Sequence, residues 1–229
     1  MERDQIEAEA RALLSEMWVE RERLWPNSQP SVIQMLDPGV AAQVLGVRYE
    51  EVDTLESPFG FRGSHHRVAG LIDRQESKIV VATSFPVETV RFTAAHEIGH
   101  WILHKGEVMH RDRPISGPRL SYEPRDRHER EADHFAACLL MPAKLVRAQF
   151  EALFGPAPFR FDDNAAFYLN AADPDSLLRA EHDSLDREFA LACCTTFAGK
   201  HFYSLAEQFR VSKSAMAIRL KELRLISWP

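Results

Sequence analysis

The sequence predicts an α+β fold, and three stretches carry that prediction. "GLIDRQESKIVVA" holds two apolar runs around a polar turn, the pattern of a β-hairpin. "RFTAAHEIGHWILH" and "RHEREADHFAACLLM" place apolar residues at helical spacing. "YSLAEQFRVSKSAMAIRLKELRLI" reads as two short helices joined at "VS", a helix-turn-helix over about residues 203–226. These features divide the chain into a sheet-containing region, residues 1–155, and a helical C-terminal region, residues 156–229.

Ile6, Ala10, Leu13, Leu14, Met17, Trp18, Leu24 and Trp25 recur at helical spacing among Glu and Arg, giving an amphipathic helix that ends before Pro26. A short helix is expected over "VIQML". Pro38 opens another, closed by Gly46. "VRYEEVDTL" suits a strand, and "SPFGFRGSHH" is rich in turn residues, with His65 and His66 as ordinary loop histidines. After the hairpin a helix runs from near Pro86 to about Lys105. A long polar loop, "GEVMHRDRPISGPRLSYEPRD", contains three prolines; loops of this length are usually functional or mobile. The next helix stops at Met141-Pro142, and another covers "AKLVRAQFEALFG". The acidic run from Asp173 to Glu188 reads as a solvated helix face.

Composition narrows the function. At 45% hydrophobic and 27% charged residues, the chain can bury a core. Its net charge of -6 gives no chain-wide field for nucleic acid. Cys138, Cys193 and Cys194 form no C-x-x-C pair, which excludes a zinc ribbon or disulfide framework and suits a cytoplasmic protein. No secretory signal or membrane span is expected, because the first residues are charged and no apolar run is long enough.

The chemistry concentrates at His96-Glu97-x-x-His100. Residues four apart lie on one helix face, so two imidazoles can bind one Zn²⁺ at about 2.0–2.1 Å. The intervening glutamate sits beside the metal and can act as general base. Five residues alone are a modest signal, so a third ligand is needed. His104 is a poor candidate: along a helix it lies about 12 Å from His96. It reads instead as a C-terminal residue favoured by the helix dipole. The metzincin spacing fails as well, because Leu103 and Gly106 stand where it needs Gly and His. Glu129 and Asp133 are the better candidates. Their spacing puts both on one face, so Glu129 could ligate while Asp133 orients a ligating histidine. Glu131 points about 200° away from Glu129 and cannot share that face. Two histidines and a glutamate leave the fourth position open to water, as in a catalytic zinc.

"RFTAAHEIGHWILH" followed by "EREADHFAACLLMP" resembles the ImmA/IrrE family of zinc metallo-endopeptidases, which are gluzincin-like. The likeness rests on Phe92-Thr93, His96-Glu97-x-x-His100, His104, Glu129-x-x-Ala132-Asp133-x-Phe135-Ala136 and Leu139 to Pro142. It spans about residues 40–150. It implies a zincin-like metallopeptidase domain with a small mixed sheet and an active-site helix. It also implies zinc held by His96, His100 and Glu129, with Glu97 as general base. Members typically are cytoplasmic and cut a helix-turn-helix repressor in a stress or regulatory response. The substrate strand would lie beside the sheet edge, along "KIVVA". The oxyanion needs a second donor, for which Tyr122, His110 and His128 are candidates.

The C-terminal pattern resembles helix-turn-helix segments that often follow such domains. Leu205, Ala206, Phe209, Val211, Ala215, Ile218 and Leu220 would form its core. Residues 200–224 carry six basic residues against two acids, a local +4 that permits DNA contact. The acidic remainder of the chain weighs against it, since phosphate contacts dominate affinity. The rival to a peptidase is a non-proteolytic DNA- or protein-binding transcription regulator built on a zinc scaffold. Glu97 separates the two, because catalysis needs it and metal binding does not.

Overall fold

A computed structural model describes residues 1–55, 68–106, 109–112 and 126–228, with only the backbone described at 109–112. The chain divides into two compact units, residues 1–140 and 141–229. The helix after Met141-Pro142 falls within the second of these units.

The first unit begins with α1 (Arg3–Val19), which buries Ile6, Ala10, Leu13 and Met17 along one face. The predicted single N-terminal helix is interrupted at Glu20, and α2 (Arg21–Leu24) follows it. Trp18, expected in the core, is 47% exposed and lies under the Arg21 guanidinium. The predicted "VIQML" helix is only a turn, hemmed in by Pro30 and Pro38. α3 (Pro38–Val44) starts where the Asp37 side chain accepts from the Val40 amide, with Pro38 at its first position.

β1 (Arg48–Val52), β2 (Gly70–Asp73), β3 (Lys78–Ala82) and β4 (Met109–Asp112) form one sheet in the order β1-β3-β2-β4. β1 and β3 are parallel and the other pairs antiparallel, so the sheet is mixed. The Asp73 carboxylate accepts from the amides of Gln75 and Glu76 and shapes the hairpin turn. Strand β3, "KIVVA", lies inside the sheet, with β1 on one side and β2 on the other. It cannot offer an edge to a peptide, and the sequence expectation is corrected here. Its unbroken apolar run, Ile79 to Ala82 all buried, is what a strand covered on both faces requires.

α4 (Val87–Leu103) packs against β2, β3 and α3, and most closely against α5 (Arg127–Leu140). Every residue of α4 from Thr93 to His100 is buried. The two helices approach closely because Gly99 faces Ala132. A Cβ on Gly99 would stand 3.2 Å from the Ala132 Cα and from the Phe135 Cβ. Arg91 ties α4 to the start of α3, donating to the Leu36 carbonyl at 2.6 Å and pairing with Asp37.

The second unit opens with α6 (Ala143–Phe154), whose Val146, Phe150 and Phe154 are buried one turn apart. It continues through β5 (Phe159–Arg160), α7 (Asp163–Leu169), α8 (Pro174–Leu178) and α9 (Asp186–Cys193). A hairpin of β6 (Thr196–Phe197) and β7 (Lys200–His201) turns at Ala198 and Gly199, both with positive φ. Then come α10 (Leu205–Phe209), α11 (Lys213–Glu222) and β8 (Ile226–Ser227), which pairs with β5. Phe150, Phe154, Phe159, Phe197 and Phe202 meet in edge-to-face contacts, each buried aromatic contributing about 1.5–3 kcal/mol.

Two expectations change in this unit. The acidic run is not simply a solvated face: Arg187 and Glu188 are buried. Arg187 lies between the rings of Phe161 and Trp228 and donates to the carbonyls of Leu177 and Leu178. Glu188 accepts from the Trp228 indole at 3.1 Å. In α11, Ile218 is 49% exposed, while Arg219 is buried and donates to the Met141 carbonyl. The helix ends at Glu222, four residues before Ile226 joins a strand.

Candidate metal centre

The site lies wholly within the first unit. α4 projects His96 and His100 from one face, and α5 brings Glu129 to meet them. One ligand atom from each of the three lies within 4.8 Å of the others. Among the described residues this is the one group of its kind. The two imidazoles turn Nε2 toward each other, 3.0 Å apart. Glu129 stands 3.5 Å from His96 Nε2 with one oxygen and 3.4 Å from His100 Nε2 with the other. Both histidines are buried and Glu129 is partly exposed, so the group is closed by protein on the α4 side.

Two nitrogens and a carboxylate oxygen suit a zinc ion with one position left for water. The residues present fit that metal. The far nitrogen of His96, Nδ1, lies 3.0 Å from the Asp133 carboxylate. The sequence expected Asp133 in this supporting position, one helical turn beyond Glu129.

Glu97, next to His96 on α4, is fully buried. Its carboxylate packs on Gly70 of β2. A Cβ added at Gly70 would stand 2.8 Å from Thr93 Cγ2 and would overlap Glu97 Oε1. Glycine in a strand marks a close approach, and here the approaching group is the predicted base.

The structure adds residues that the sequence reading left out. His104, set aside as a ligand, lies outside the ligand group; it closes the C-terminal end of α4, as expected, and it is buried there. Its Nδ1 is 2.9 Å from His100 Nδ1, and its Nε2 is 3.1 Å from Glu131 Oε2. Glu131 indeed does not share the Glu129 face; it faces the end of α4. Burial alone would raise its carboxyl, but hydrogen bonds from the Met1 ammonium, Arg127 and His104 hold it down to about 2. Arg74, in the hairpin turn, donates to the carbonyls of His100, Trp101 and His104 and stacks on the Trp101 ring. It fastens the last turn of α4 by satisfying carbonyls that a helix end leaves open. The four-residue step from His100 to His104 was the available signal for this part of the site.

Of the three oxyanion candidates, His128 is exposed, with its ring 4.4 Å from that of His104. The His110 side chain and Tyr122 lie outside the described residues, as do His65 and His66.

A mixed sheet under a buried H-E-x-x-H helix, met by a carboxylate from a second helix, is an arrangement suited to a metallopeptidase. The sequence model of Peptidase_M78, the IrrE N-terminal-like domain, matches residues 42–156, half of the chain. The chain belongs to that family, and metallopeptidase is the activity class this supports. The match runs from α3 through α6 and includes both motif helices. No curated protein matched the chain. No described helix is long and apolar enough to cross a membrane.

Proposed function

We propose that the protein is a zinc-dependent endopeptidase. The observation that carries this reading is the convergence of His96, His100 and Glu129 beside the buried Glu97. In this reading the three converging residues hold zinc. When bound, the ion supplies Lewis acidity that polarises the scissile carbonyl and acidifies water. Glu97 takes the proton from the attacking water and returns it to the departing amine. Its fixed position against Gly70 keeps the base aimed without reorganisation. Asp133 holds His96 in the tautomer that presents Nε2.

The substrate strand belongs at β4 rather than along β3. Gly70 packs against Glu97 and pairs with Asp112, so β4 lies one strand spacing, about 4.8 Å, from the strand that carries this contact. Among the described residues its outer edge carries no strand, and an extended peptide could add there. Family likeness points to a cytoplasmic role and to a helix-turn-helix repressor as the protein cut, in a stress or regulatory response.

The C-terminal unit is read as carrying a helix-turn-helix. Ser204 and Glu207 form a capping box at the start of α10, Arg210 turns the chain with φ 54°, and Ser212 caps α11. DNA contact is the lesser reading of this unit. Of the six basic residues between 200 and 224, Arg219 is buried and Lys221 is held by the carbonyls of His182 and Ser184. Lys200, Arg210, Lys213 and Arg224 remain on the surface.

Replacing Glu97 by Gln tests the proposal against a non-proteolytic regulator. The variant should retain one zinc per chain and cut a co-encoded helix-turn-helix repressor at least about 10²-fold more slowly. Full cleavage by Glu97→Gln would sink the mechanism. A wild type that binds zinc but leaves the repressor intact would favour the regulator.

A further inference from the structure

We propose that His104 and Glu131 act together as a positioning relay for His100, so that the two motif histidines are held in place by different devices. The inference rests on the reading of His96, His100 and Glu129 as metal ligands, and it adds residues to that centre.

The geometry determines where each proton sits. His100 turns Nε2 toward Glu129 and His96, the side on which a metal would be held. A neutral imidazole that ligates through Nε2 carries its proton on Nδ1. His100 Nδ1 therefore donates to His104 Nδ1, 2.9 Å away. His104, accepting at Nδ1, carries its own proton on Nε2, and that nitrogen donates to Glu131 Oε2 at 3.1 Å. A carboxylate thus selects the tautomer of His104, and His104 selects the tautomer of His100. His96 has the shorter form of the same support, with Nδ1 donating directly to Asp133.

Helical spacing builds the relay. His96 and His100 are a four-residue step on one face of α4, and His104, the residue that closes the helix, continues the row, with neighbouring rings 4.7 and 4.9 Å apart. The third step is too far along the axis to ligate, yet it is the step at which a ring meets the ligand behind it. Glu129 and Glu131 point to different faces of α5, which lets one carboxylate reach the metal group and the other reach His104. Arg127 donates to the second oxygen of Glu131 at 2.8 Å, and Arg74 holds the His104 carbonyl, so both ends of the relay are anchored.

The test compares full-length wild type with His104→Phe, Glu131→Gln and the double variant. Phenylalanine keeps a ring but no nitrogen; glutamine at 131 is nearly isosteric. Zinc affinity is measured by chelator competition, and thermal unfolding of the metal-free proteins establishes that each is folded. Each single variant should weaken zinc binding by about 10–100-fold. The double variant should be no weaker than His104→Phe, because both changes interrupt one chain of hydrogen bonds. His104→Gln, whose amide offers one acceptor and one donor, should recover part of the loss.

A second readout separates positioning from packing. In the cobalt-substituted protein, the Nδ1 protons of the two ligating histidines give separate exchangeable NMR signals. His104→Phe should speed solvent exchange of one signal, and Asp133→Ala should speed the other. Unchanged zinc affinity in both single variants, or weakened affinity with both signals still equally protected, overturns the relay. A wild-type protein that binds neither zinc nor cobalt overturns the metal reading and the relay with it. Retained wild-type binding in His100→Ala removes His100 from the ligand set and likewise ends both.

Discussion

Gly70 and Glu97 meet across the β2–α4 interface with no room for a methyl group between them. A Cβ on Gly70 would stand 2.9 Å from the Glu97 Cγ as well as colliding with its carboxylate. A strand backbone and a helix side chain therefore define one position for the proposed base.

This contact yields the first prediction. Gly70→Ala must displace the Glu97 side chain, since the opposing atoms belong to a buried helix. A displacement of about 1 Å is enough to cost on the order of 10²-fold in rate. Zinc stoichiometry should stay at the wild-type value, because none of the proposed ligands touches Gly70. Peptidase assays alongside metal analysis check this, and normal turnover in Gly70→Ala would show that the contact does not position the base.

The second concerns the guanidinium of Arg74. It donates to three carbonyls at the end of α4 and stacks on Trp101. Arg74→Ala should cost about 2 kcal/mol, the range for hydrogen bonds from a charged donor. Arg74→Lys should recover little, since an ammonium has neither the planar fork nor the stacking face. The effect should be local. Amide exchange at His104, whose N–H donates to the His100 carbonyl, should accelerate, and unaltered protection there would rule out a clamp.

The third belongs to the C-terminal unit and includes a pH dependence. The Ser204 hydroxyl and amide both donate to Glu207 and hold its carboxyl below the ordinary value of 4.5. A carboxyl depressed on folding contributes stability above its unfolded value, and that contribution fades as pH falls through the folded one. Ser204→Ala should cost about 1 kcal/mol at neutral pH. It should also move the Glu207 carboxyl back toward 4.5, so that the difference between the proteins narrows on acidification below that value. NMR titration of Glu207 with denaturant unfolding at neutral and acid pH measures both. An unmoved Glu207 titration would mean the hydroxyl is not the cause of the shift.

Much of the candidate site was legible because it repeats on helices. His96 with His100, and Glu129 with Asp133, are four-residue steps, and a single helix face accounts for each pair. What escaped the sequence reading depends on partners from other elements. Gly70 acquires its role only when the strand is laid under α4. Glu131 was tested only as a companion ligand to Glu129, and the rotation that excluded it is the rotation that carries it to His104. Arg74 is one polar residue in a hairpin turn until the end of a helix is brought to it.

The fold shows the same division. The hairpin, the N-terminal amphipathic face and the caps at Asp37, Ser204 and Ser212 come from local pattern and turn chemistry. The order of strands does not: "KIVVA", expected along the sheet edge, lies between two other strands. In the short helix α11, one residue of phase decides whether Ile218 or Arg219 is buried. The Met141 carbonyl and Glu222, partners of Arg219, settle it.

The crossing of α4 and α5 at Gly99 and Ala132 acts as a spacer gauge for the three-residue centre. Two corners of that triangle ride on one helix and the third on the other, so its size is the separation of two rods. A methyl group at position 99 would prise the rods apart and enlarge the triangle while leaving all three corners chemically intact. Such a protein would keep its full complement of ligands and lose its grip on a small ion first. The smallest side chain in the motif, between the glutamate and the second histidine, thereby sets the calibre of the site.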